Sequence, residues 1–337
     1  MGERSNMPLI EVSNLGVRLN TSRGLAQAVR GVSFALRRGE TLGLVGESGC
    51  GKSVTALSLM GLLPDSAVVA GNIKLDGSEL VGLSDADYCR LRGNRISMIF
   101  QEPMTALNPM HTIGHQVAEP LRRHKRYSAA QARKEAIALL DRVGLPDAVR
   151  RVDAYPHQFS GGQRQRITIA MALACEPDLL IADEPTTALD VTIQGQILDL
   201  IADLIEERGM SMILISHDLG VIAENVQRMM VMYGGTVVES GPTDEVFRRM
   251  GHPYTQGLFR ARPKLGARKG TRLTTISGTV PELADLPSGC TFSDRCALVI
   301  DQCRAALPPM VDVVPGHFVR CIRTDVSMAE NVGALTA

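Results

Sequence analysis

The residues of this chain best suited to chemistry are a lysine and a serine at the end of a glycine-rich loop. The loop reads GESGCGKS from Gly46 to Ser53 and matches the pattern G-x-x-x-x-G-K-[ST] at every fixed position. An apolar run, TLGLV, leads into it over Thr41–Val45, and a run of helical character, SVTALSLMGLL, follows. A strand, a glycine loop and a helix in this order predict a site that cradles phosphate groups.

The expected contacts of this loop come from its backbone and from two side chains. The N–H groups from Gly49 to Lys52 are expected to face phosphate oxygens at a helix N-terminus, where the helix dipole favours negative charge. Lys52 is expected to reach the β- and γ-phosphates, and the Ser53 hydroxyl to bind Mg²⁺. A glycine turn beside a surface lysine is the alternative, which the strand-to-helix context disfavours. The predicted nucleotide-binding residues of the loop are Gly46, Glu47, Ser48, Gly49, Cys50, Gly51, Lys52 and Ser53.

Two further apolar runs end on ionisable side chains. LLIADEP ends on Asp183 and Glu184, and MILISHD ends on His217 and Asp218. Because functional residues of α/β proteins lie at the carboxyl ends of the sheet strands, Asp183 is expected to bind Mg²⁺ directly or to act from its second coordination shell. Glu184 is expected to polarise the attacking water and His217 to reach the γ-phosphate. A solvated acidic turn and a structural histidine are the alternatives. The segment SGGQRQR, which begins at Ser160 and precedes a helical run, predicts a second anion site.

Length and composition limit the class of protein. The 337 residues, 45% of them apolar, suffice for one large domain with an appendage. No apolar run reaches about 18 residues and no signal-peptide pattern is present, so the sequence predicts a cytosolic chain that does not span a membrane alone. The net charge of zero argues against nucleic acid as a partner. The seven cysteines are not expected to form disulfides in the cytosol.

These motifs, in this order, resemble those of the ATP-binding subunit of an ABC transporter over nearly the whole chain. The resemblance implies an α/β fold: a P-loop NTPase of ABC type with a mixed sheet, a helical insert subdomain and a small cysteine-containing C-terminal extension. It places the ABC ATP-binding domain at 1–255, the insert at about 102–165 and the extension at 256–337. In family terms the motifs are Walker A (GESGCGKS), the Q-loop (FQEP, Phe100–Pro103), the signature (FSGGQRQR), Walker B (LLIADEP), the D-loop (ALD, Ala188–Asp190) and the H-loop (SHD).

The resemblance also assigns residues. Gln101 would contact Mg²⁺ and the attacking water and report to a membrane partner. The signature would bind the γ-phosphate held by a second subunit, so a partner ATPase is implied, and closure on ATP would supply the mechanical stroke. The residues implied for nucleotide contact outside the phosphate loop are Asp183, Ser160, Gly161, Gly162, Gln163 and Asp190.

Longer segments resemble the oligopeptide/dipeptide importer group, and the chain looks like the first of its two paired ATPases. The segments are FQEPMTALNP, YPHQFSGG, TTALDVTIQGQIL and HPYTQGL. The implied function is ATP hydrolysis that energises peptide import at the cytoplasmic face of the inner membrane. The implied partners are a different ABC ATPase, two membrane-spanning permease subunits and an extracytoplasmic solute-binding protein. Nickel, glutathione or another small solute is the alternative cargo. A soluble ABC-type ATPase acting on DNA or ribosomes, or a redox or metal-binding module, is the alternative class.

One feature departs from the family pattern. Members usually place an aromatic ring ahead of the phosphate loop to stack on adenine, but residues 1–33 contain no Phe, Tyr or Trp. Arg18 or Leu19 stands in that stretch, and either would cover the base with less stacking energy. The sequence therefore leaves the adenine contact unassigned.

The extension has a cysteine pattern of its own. Cys290, Cys296, Cys303 and Cys321 follow C-x5-C-x6-C-x17-C. Clustered thiols in a cytosolic chain suggest metal ligation, for which Zn²⁺ and a [4Fe–4S] cluster are both chemically suitable. The resemblance favours the cluster, since members of the oligopeptide group share such a region; thiols without metal are the alternative. Such a metal site would stabilise an extension that has no hydrophobic core of its own. His317 is expected to be a surface histidine.

Overall fold

A computed structural model describes residues 7–187, 189–261, 275–325 and 328. The described residues form two compact units, each built from separate stretches of the chain. The first unit contains residues 7–10, 36–41 and 82–215, and the second contains residues 11–35, 42–81 and the described residues from 216 onward. Ala188, which belongs to the predicted D-loop, lies outside the described residues.

The strands in chain order are β1 (Ile10–Thr21), β2 (Gly24–Leu36), β3 (Thr41–Val45), β4 (Val68–Leu75), β5 (Ser78–Glu79), β6 (Ile96–Ile99), β7 (Leu179–Asp183), β8 (Ser211–Ser216), β9 (Arg228–Tyr233), β10 (Thr236–Pro242), β11 (Val311–Val314) and β12 (His317–Val319). The helices are α1 (Lys52–Met60), α2 (Asp85–Leu91), α3 (Pro103–Ala106), α4 (Ile113–His124), α5 (Ala129–Arg142), α6 (Ala148–Arg151), α7 (Gly161–Leu173), α8 (Val191–Arg208), α9 (Leu219–Asn225), α10 (Thr243–Arg249), α11 (Pro253–Arg260) and α12 (Asp301–Ala305). Short 3₁₀ helices cover Pro156–Gln158 and Ser293–Arg295. Within the described ranges no helix is both long and apolar enough to cross a membrane.

Three parallel strands in the first unit lie in the order β8, β7, β6. Leu180 of β7 is opposite Ser97 of β6 on one side and Met212 of β8 on the other. Every residue of β7 is buried, as expected for a strand that is covered on both faces. The strand predicted from LLIAD is confirmed, and its carboxyl end presents Asp183 and then Glu184.

Helices occupy most of the first unit between β6 and β7. α5 packs against α4, α6 and α7. The segment SAAQARKEAIALLDRVGL predicts a helix by its apolar spacing, and α5 forms there, begun by a capping box between Ser128 and Gln131. Ala136, Leu139 and Leu140 face the interior. The signature segment likewise begins a helix, because Ser160 is the N-cap of α7.

The second unit contains a mixed sheet in the order β3, β9, β10, β12, β11. β3 and β9 are parallel, with Leu44 opposite Met230, whereas β10 is antiparallel to both β9 and β12. A separate sheet has the order β2, β1, β4, β5. TLGLV forms β3 as predicted, and α1 begins at Lys52, so strand, loop and helix follow one another.

The C-terminal extension joins the core of the second unit through β12. Ser240 of β10 pairs with Phe318 of β12, and next to this pair the Nε2 atom of His317 lies 2.7 Å from Oε1 of Glu239. Both side chains are fully buried. The Glu239 carboxylate also accepts hydrogen bonds from the backbone N–H groups of Gly251 and His252, at 2.7 and 2.9 Å. The expectation of a surface His317 is therefore wrong. Its ring is buried because it is the hydrogen-bond partner of the buried Glu239 carboxylate, which the sequence pattern did not reveal.

Candidate nucleotide-binding and hydrolytic site

The phosphate loop connects β3 and α1 in the second unit. Lys52 is 6% exposed, and its Nζ donates hydrogen bonds to the carbonyl oxygens of Gly46 at 2.7 Å and Glu47 at 3.2 Å. Gly51 has φ +103°, and a Cβ there would lie 2.7 Å from the Ala28 carbonyl oxygen, so this position requires glycine. The tip residues are exposed. The loop is thus tightly packed against Ala28 at Gly51, whereas its tip at Ser48 and Gly49 is accessible to an anion.

Residues far along the sequence hold Glu47 of this loop. The Tyr254 hydroxyl accepts a hydrogen bond of 2.8 Å from the Glu47 N–H. The guanidinium of Arg295 donates to both carboxylate oxygens of Glu47, at 2.7 and 3.0 Å, and its side chain is 5% exposed. The pair with Glu47 raises the pKa of Arg295, and burial raises the pKa of Tyr254. A bidentate pair of this kind fixes the position of the loop as well as its charge.

The predicted hydrolytic carboxylate lies at the end of β7 in the first unit. Oε2 of Glu184 accepts hydrogen bonds from Nε2 of Gln101 at 3.1 Å and from the Thr187 hydroxyl at 2.9 Å. The Glu184 backbone has φ +47°, in the left-handed region that a non-glycine residue rarely adopts. Its N–H donates to the Ile215 carbonyl at 3.0 Å, which holds this conformation in place. Strained backbone of this type is concentrated at functional sites.

The signature residues and Asp190 line one cavity of about 460 Å³ in the first unit. Ser160 accepts from the Gln163 N–H, and Gln163 Oε1 accepts from the Ser160 N–H, which forms a capping box at the start of α7. Asp190 caps α8 by accepting from the Ile193 N–H at 3.0 Å. Two helix N-termini therefore meet at this cavity, where the helix dipoles and a neighbouring arginine, Arg166, favour an anion. The sequence-predicted residues that line it are Ser160, Gly161, Gly162, Gln163 and Asp190.

The oxygen donors predicted for Mg²⁺ fit that ion chemically. Ser53 supplies a hydroxyl and Gln101 an amide oxygen, and Asp183 supplies a carboxylate that is 5% exposed. Hard oxygen ligands of this kind suit Mg²⁺, and a buried carboxylate favours a cation. Ser53 and the exposed His217, which directly follows β8, belong to the second unit. Gln101, Asp183 and Glu184 belong to the first.

The four clustered cysteines line one small cavity in the second unit. Cys290, Cys296, Cys303 and Cys321 surround it together with Phe292 and other residues. Burial raises the pKa of Cys290 and Cys296, and it raises the pKa of Cys321 to about 11. All the cysteines of the described segments are free thiols. The His, Cys, Asp and Glu side chains of those segments form no group of three or more that could hold a metal ion.

The phosphate loop, the strand-end carboxylates and the signature cavity together define a P-loop ATPase of the ABC class. Residues 29–187 match the ABC transporter family, and residues 238–303 match the oligopeptide/dipeptide transporter C-terminal region. The chain belongs to this family of ABC transporter ATP-binding proteins, in its oligopeptide/dipeptide branch.

Relatives and a solved structure agree with this assignment. The chain is 52% identical to a peptide import ATP-binding protein of Brucella melitensis over 95% of its own length and 98% of that protein. It is 51% identical to the dipeptide transport ATP-binding protein DppD of Bacillus subtilis over 93% and 94% of the two chains. The ATP-binding cassette MJ0796, in a dimeric post-hydrolysis state bound to ADP and phosphate, superposes with a TM-score of 0.63 at 28% identity, covering 69% of this chain and 98% of that one. The predicted ABC cassette fold with a mixed sheet is thereby confirmed.

The sequence reasoning missed the residues that hold Glu47. Tyr254 lies inside HPYTQGL, a segment that indicates the family branch but not a contact with the phosphate loop. Arg295 stands next to Cys296, and no spacing rule links it to a loop 248 residues earlier. Glu47 itself was predicted as a nucleotide contact by its position in the loop. In the structure its carboxylate forms an ion pair with Arg295, and its contact with a nucleotide stays a prediction.

Replacing Arg295 with Ala should loosen the phosphate loop. The change leaves the partly buried Glu47 carboxylate without its bidentate donor, so we expect the free energy of unfolding to fall by about 1–3 kcal/mol. ATP affinity should fall with it, because the loop backbone loses its anchor. Urea unfolding and calorimetric ATP titration of the full chain measure the two effects.

The matched control is Arg304→Ala. Arg304 pairs with Asp294 in the same extension, but both side chains are about half exposed, at 52% and 49%. An exposed pair of this kind contributes about 0–1 kcal/mol. Equal effects in the two variants would contradict the anchoring role of Arg295.

Proposed function

We propose that this chain hydrolyses ATP with Glu184 as the general base and with Gln101 and Thr187 as the groups that position it. The support is the geometry at the end of β7, where both side chains donate to one oxygen of the Glu184 carboxylate, at 3.1 and 2.9 Å. Two donors fix the direction of the carboxylate that is to accept a proton from the attacking water. An amide can also offer its oxygen elsewhere, which lets Gln101 serve a second ligand.

The phosphate loop supplies the binding half of this proposal. Its N–H groups and Lys52 bind the β- and γ-phosphates, and His217 donates a hydrogen bond to the γ-phosphate. Ser53 and Gln101 would hold Mg²⁺, with support from Asp183, and the bound ion would supply charge neutralisation at the phosphates. Glu184 takes a proton from water as the water oxygen bonds to the γ-phosphorus and the bond to ADP breaks.

We further propose that the signature cavity receives the γ-phosphate of a nucleotide bound to a second ATPase. The support is the placement of Ser160, Gly161 and Asp190 around one cavity with two helix N-termini. A related cassette that forms a dimer with ADP and phosphate adds to it. The second ATPase is a different chain of the same family, as the resemblance to the first of two paired ATPases suggests.

The transported solute in this proposal is an oligopeptide or dipeptide. The observation that carries it is the match of residues 238–303 to the C-terminal region of oligopeptide/dipeptide transporters. Relatives named for peptide import and dipeptide transport, at about 50% identity over nearly the whole chain, support it. The chain would act at the cytoplasmic face of the inner membrane on two permease subunits, which receive the solute from an extracytoplasmic binding protein.

We also propose that the C-terminal extension binds a metal. The four thiols of Cys290, Cys296, Cys303 and Cys321 would hold a [4Fe–4S] cluster, with Zn²⁺ as the alternative. The support is the donor set and its common cavity. Because burial raises the pKa of three of these thiols, metal binding would have to displace their protons and draw the sulfurs together.

Glu184→Gln should bind ATP and hydrolyse it slowly. The amide keeps the shape of the side chain but cannot take the proton from water, so we expect turnover to fall by about 10²- to 10⁴-fold. Steady-state ATPase assays of the chain recovered with its partner ATPase, and ATP titration of the purified chain, measure the two properties. Glu135→Gln, at an exposed site on α5, is the control and should leave both unchanged. Normal turnover in Glu184→Gln would remove that residue from the proposed role.

A mild-detergent pull-down of the tagged chain from native membranes tests the transport role. Mass spectrometry should recover two multi-spanning subunits and a second ABC ATPase. The Glu184→Gln variant with ATP should retain the second ATPase better, because hydrolysis no longer opens the pair. Recovery of ribosomal or DNA-repair proteins alone would contradict import.

Cys303→Ser tests the metal proposal. Wild-type chain purified without oxygen should contain about four iron atoms and absorb visible light, and the variant should lose both. Cys89→Ser, whose thiol lies on α2 away from the cavity, should keep the metal of the wild type. About one zinc per chain would support the alternative ion, and wild-type chain free of both metals would overturn the proposal.

A further inference from the structure

An open cavity of about 400 Å³ lies beside the tip of the phosphate loop in the second unit. Ser48 and Gly49 of the loop form one side of it. The turn between β1 and β2 forms another side, with Thr21, Ser22 and Ala26. The remaining wall comes from the C-terminal extension, at residues 280–284.

The wall segment 280–284 is fastened to the β1–β2 turn by Arg23. One guanidinium nitrogen donates to Glu282 at 2.8 Å and to Asp285 at 2.6 Å, and the other donates to Asp285 at 2.9 Å. The turn is itself ordered, because the Thr21 hydroxyl accepts from the Arg23 N–H and donates to the Gly24 carbonyl. A forked contact to one carboxylate holds a segment in direction as well as distance. Arg23 therefore contacts the acidic side chains at both Glu282 and Asp285 and helps to hold the wall segment against the turn.

The wall segment presents apolar surface to a cavity that continues from the phosphate loop. Val280, Pro281 and Leu283 are half-buried and line it. Thr21, Ser22 and Arg23 add polar side chains to the lining. A flat heteroaromatic ring with polar edges suits apolar faces that are flanked by a few hydrogen-bonding groups.

We propose that this cavity is the adenine site and that the C-terminal wall segment, clamped by Arg23, supplies the surface that covers the base. The proposal rests on ATP as the ligand of the phosphate loop. Arg18 and Leu19, both among the described residues, do not line the cavity. An apolar wall from the extension thus takes the place of the aromatic ring that the sequence lacks ahead of the loop. In this proposal the C-terminal extension is part of the site that recognises the base.

Comparing ADP with inorganic pyrophosphate separates the base from the phosphates. The full chain in Mg²⁺ buffer is titrated calorimetrically with each ligand. Arg23→Ala should weaken ADP binding by about five- to tenfold and change pyrophosphate binding by less than about twofold. Leu283→Asp, which places a carboxylate in the wall, should weaken ADP in the same selective way, and Leu283→Met should not.

The matched control is Arg133→Ala. Arg133 makes an equally exposed, bidentate pair with Asp153 at 2.6 and 2.7 Å, in the other unit, and its loss should affect neither ligand. Unchanged ADP affinity in both Arg23→Ala and Leu283→Asp would overturn the adenine site. An equal loss for both ligands would also overturn it, since the segment would then support the phosphate loop and not the base. Wild-type chain that binds pyrophosphate and ADP equally would reject base recognition alone, whereas chain that binds neither would contradict the ATPase as well.

Discussion

The ion pair between Glu47 and Arg295 holds the phosphate loop of the second unit, which is the proposed nucleotide site. A phosphate loop rich in glycine gains little rigidity from its own sequence, because glycine loses more conformational freedom on ordering than any other residue. The loop is therefore held from outside, by the bidentate contact of Arg295 at one end of Glu47 and by the Tyr254 hydroxyl at its N–H. Both partners follow the loop by more than 200 residues in sequence. The preorganisation that anion binding requires comes from the C-terminal part of the chain.

The residues proposed for hydrolysis are held in place in a different way. Glu184 follows a strand buried on both faces, so the position of its backbone is set by the sheet. Its left-handed conformation costs free energy, which the hydrogen bond to the Ile215 carbonyl and the side-chain contacts of Gln101 and Thr187 offset. The position of the carboxylate is thereby set by contacts within the first unit. A proposed general base that is held in this way needs little rearrangement to accept a proton from water.

The strands and helix starts could be predicted, because short sequence motifs determine them. The side-chain contacts between residues far apart in sequence could not be predicted. TLGLV and LLIAD form the predicted strands because short apolar runs next to loop signals leave few alternatives. The capping residue Ser160 starts a helix for reasons contained within four residues. The prediction of a surface His317 is wrong, because its burial depends on Glu239, which lies 78 residues earlier and on a neighbouring strand. Arg23 and Arg295 were missed for the same reason, because a charged residue in a loop has no pattern that names its partner.

The C-terminal extension is packed into the second unit, so its place in the fold does not depend on a bound metal. Its Phe292 packs against Tyr233 and Tyr254 with ring centroids 5.1 and 5.3 Å apart, so its apolar surface is buried in the core of that unit. The 3₁₀ helix Ser293–Arg295 carries the anchor of Glu47 at its end, and Cys296 follows directly. Any group bound by the Cys296 thiol would restrain the same short segment that holds the phosphate loop. The cysteine cavity and the ion pair that holds the phosphate loop are therefore adjacent along the backbone, at Cys296 and Arg295.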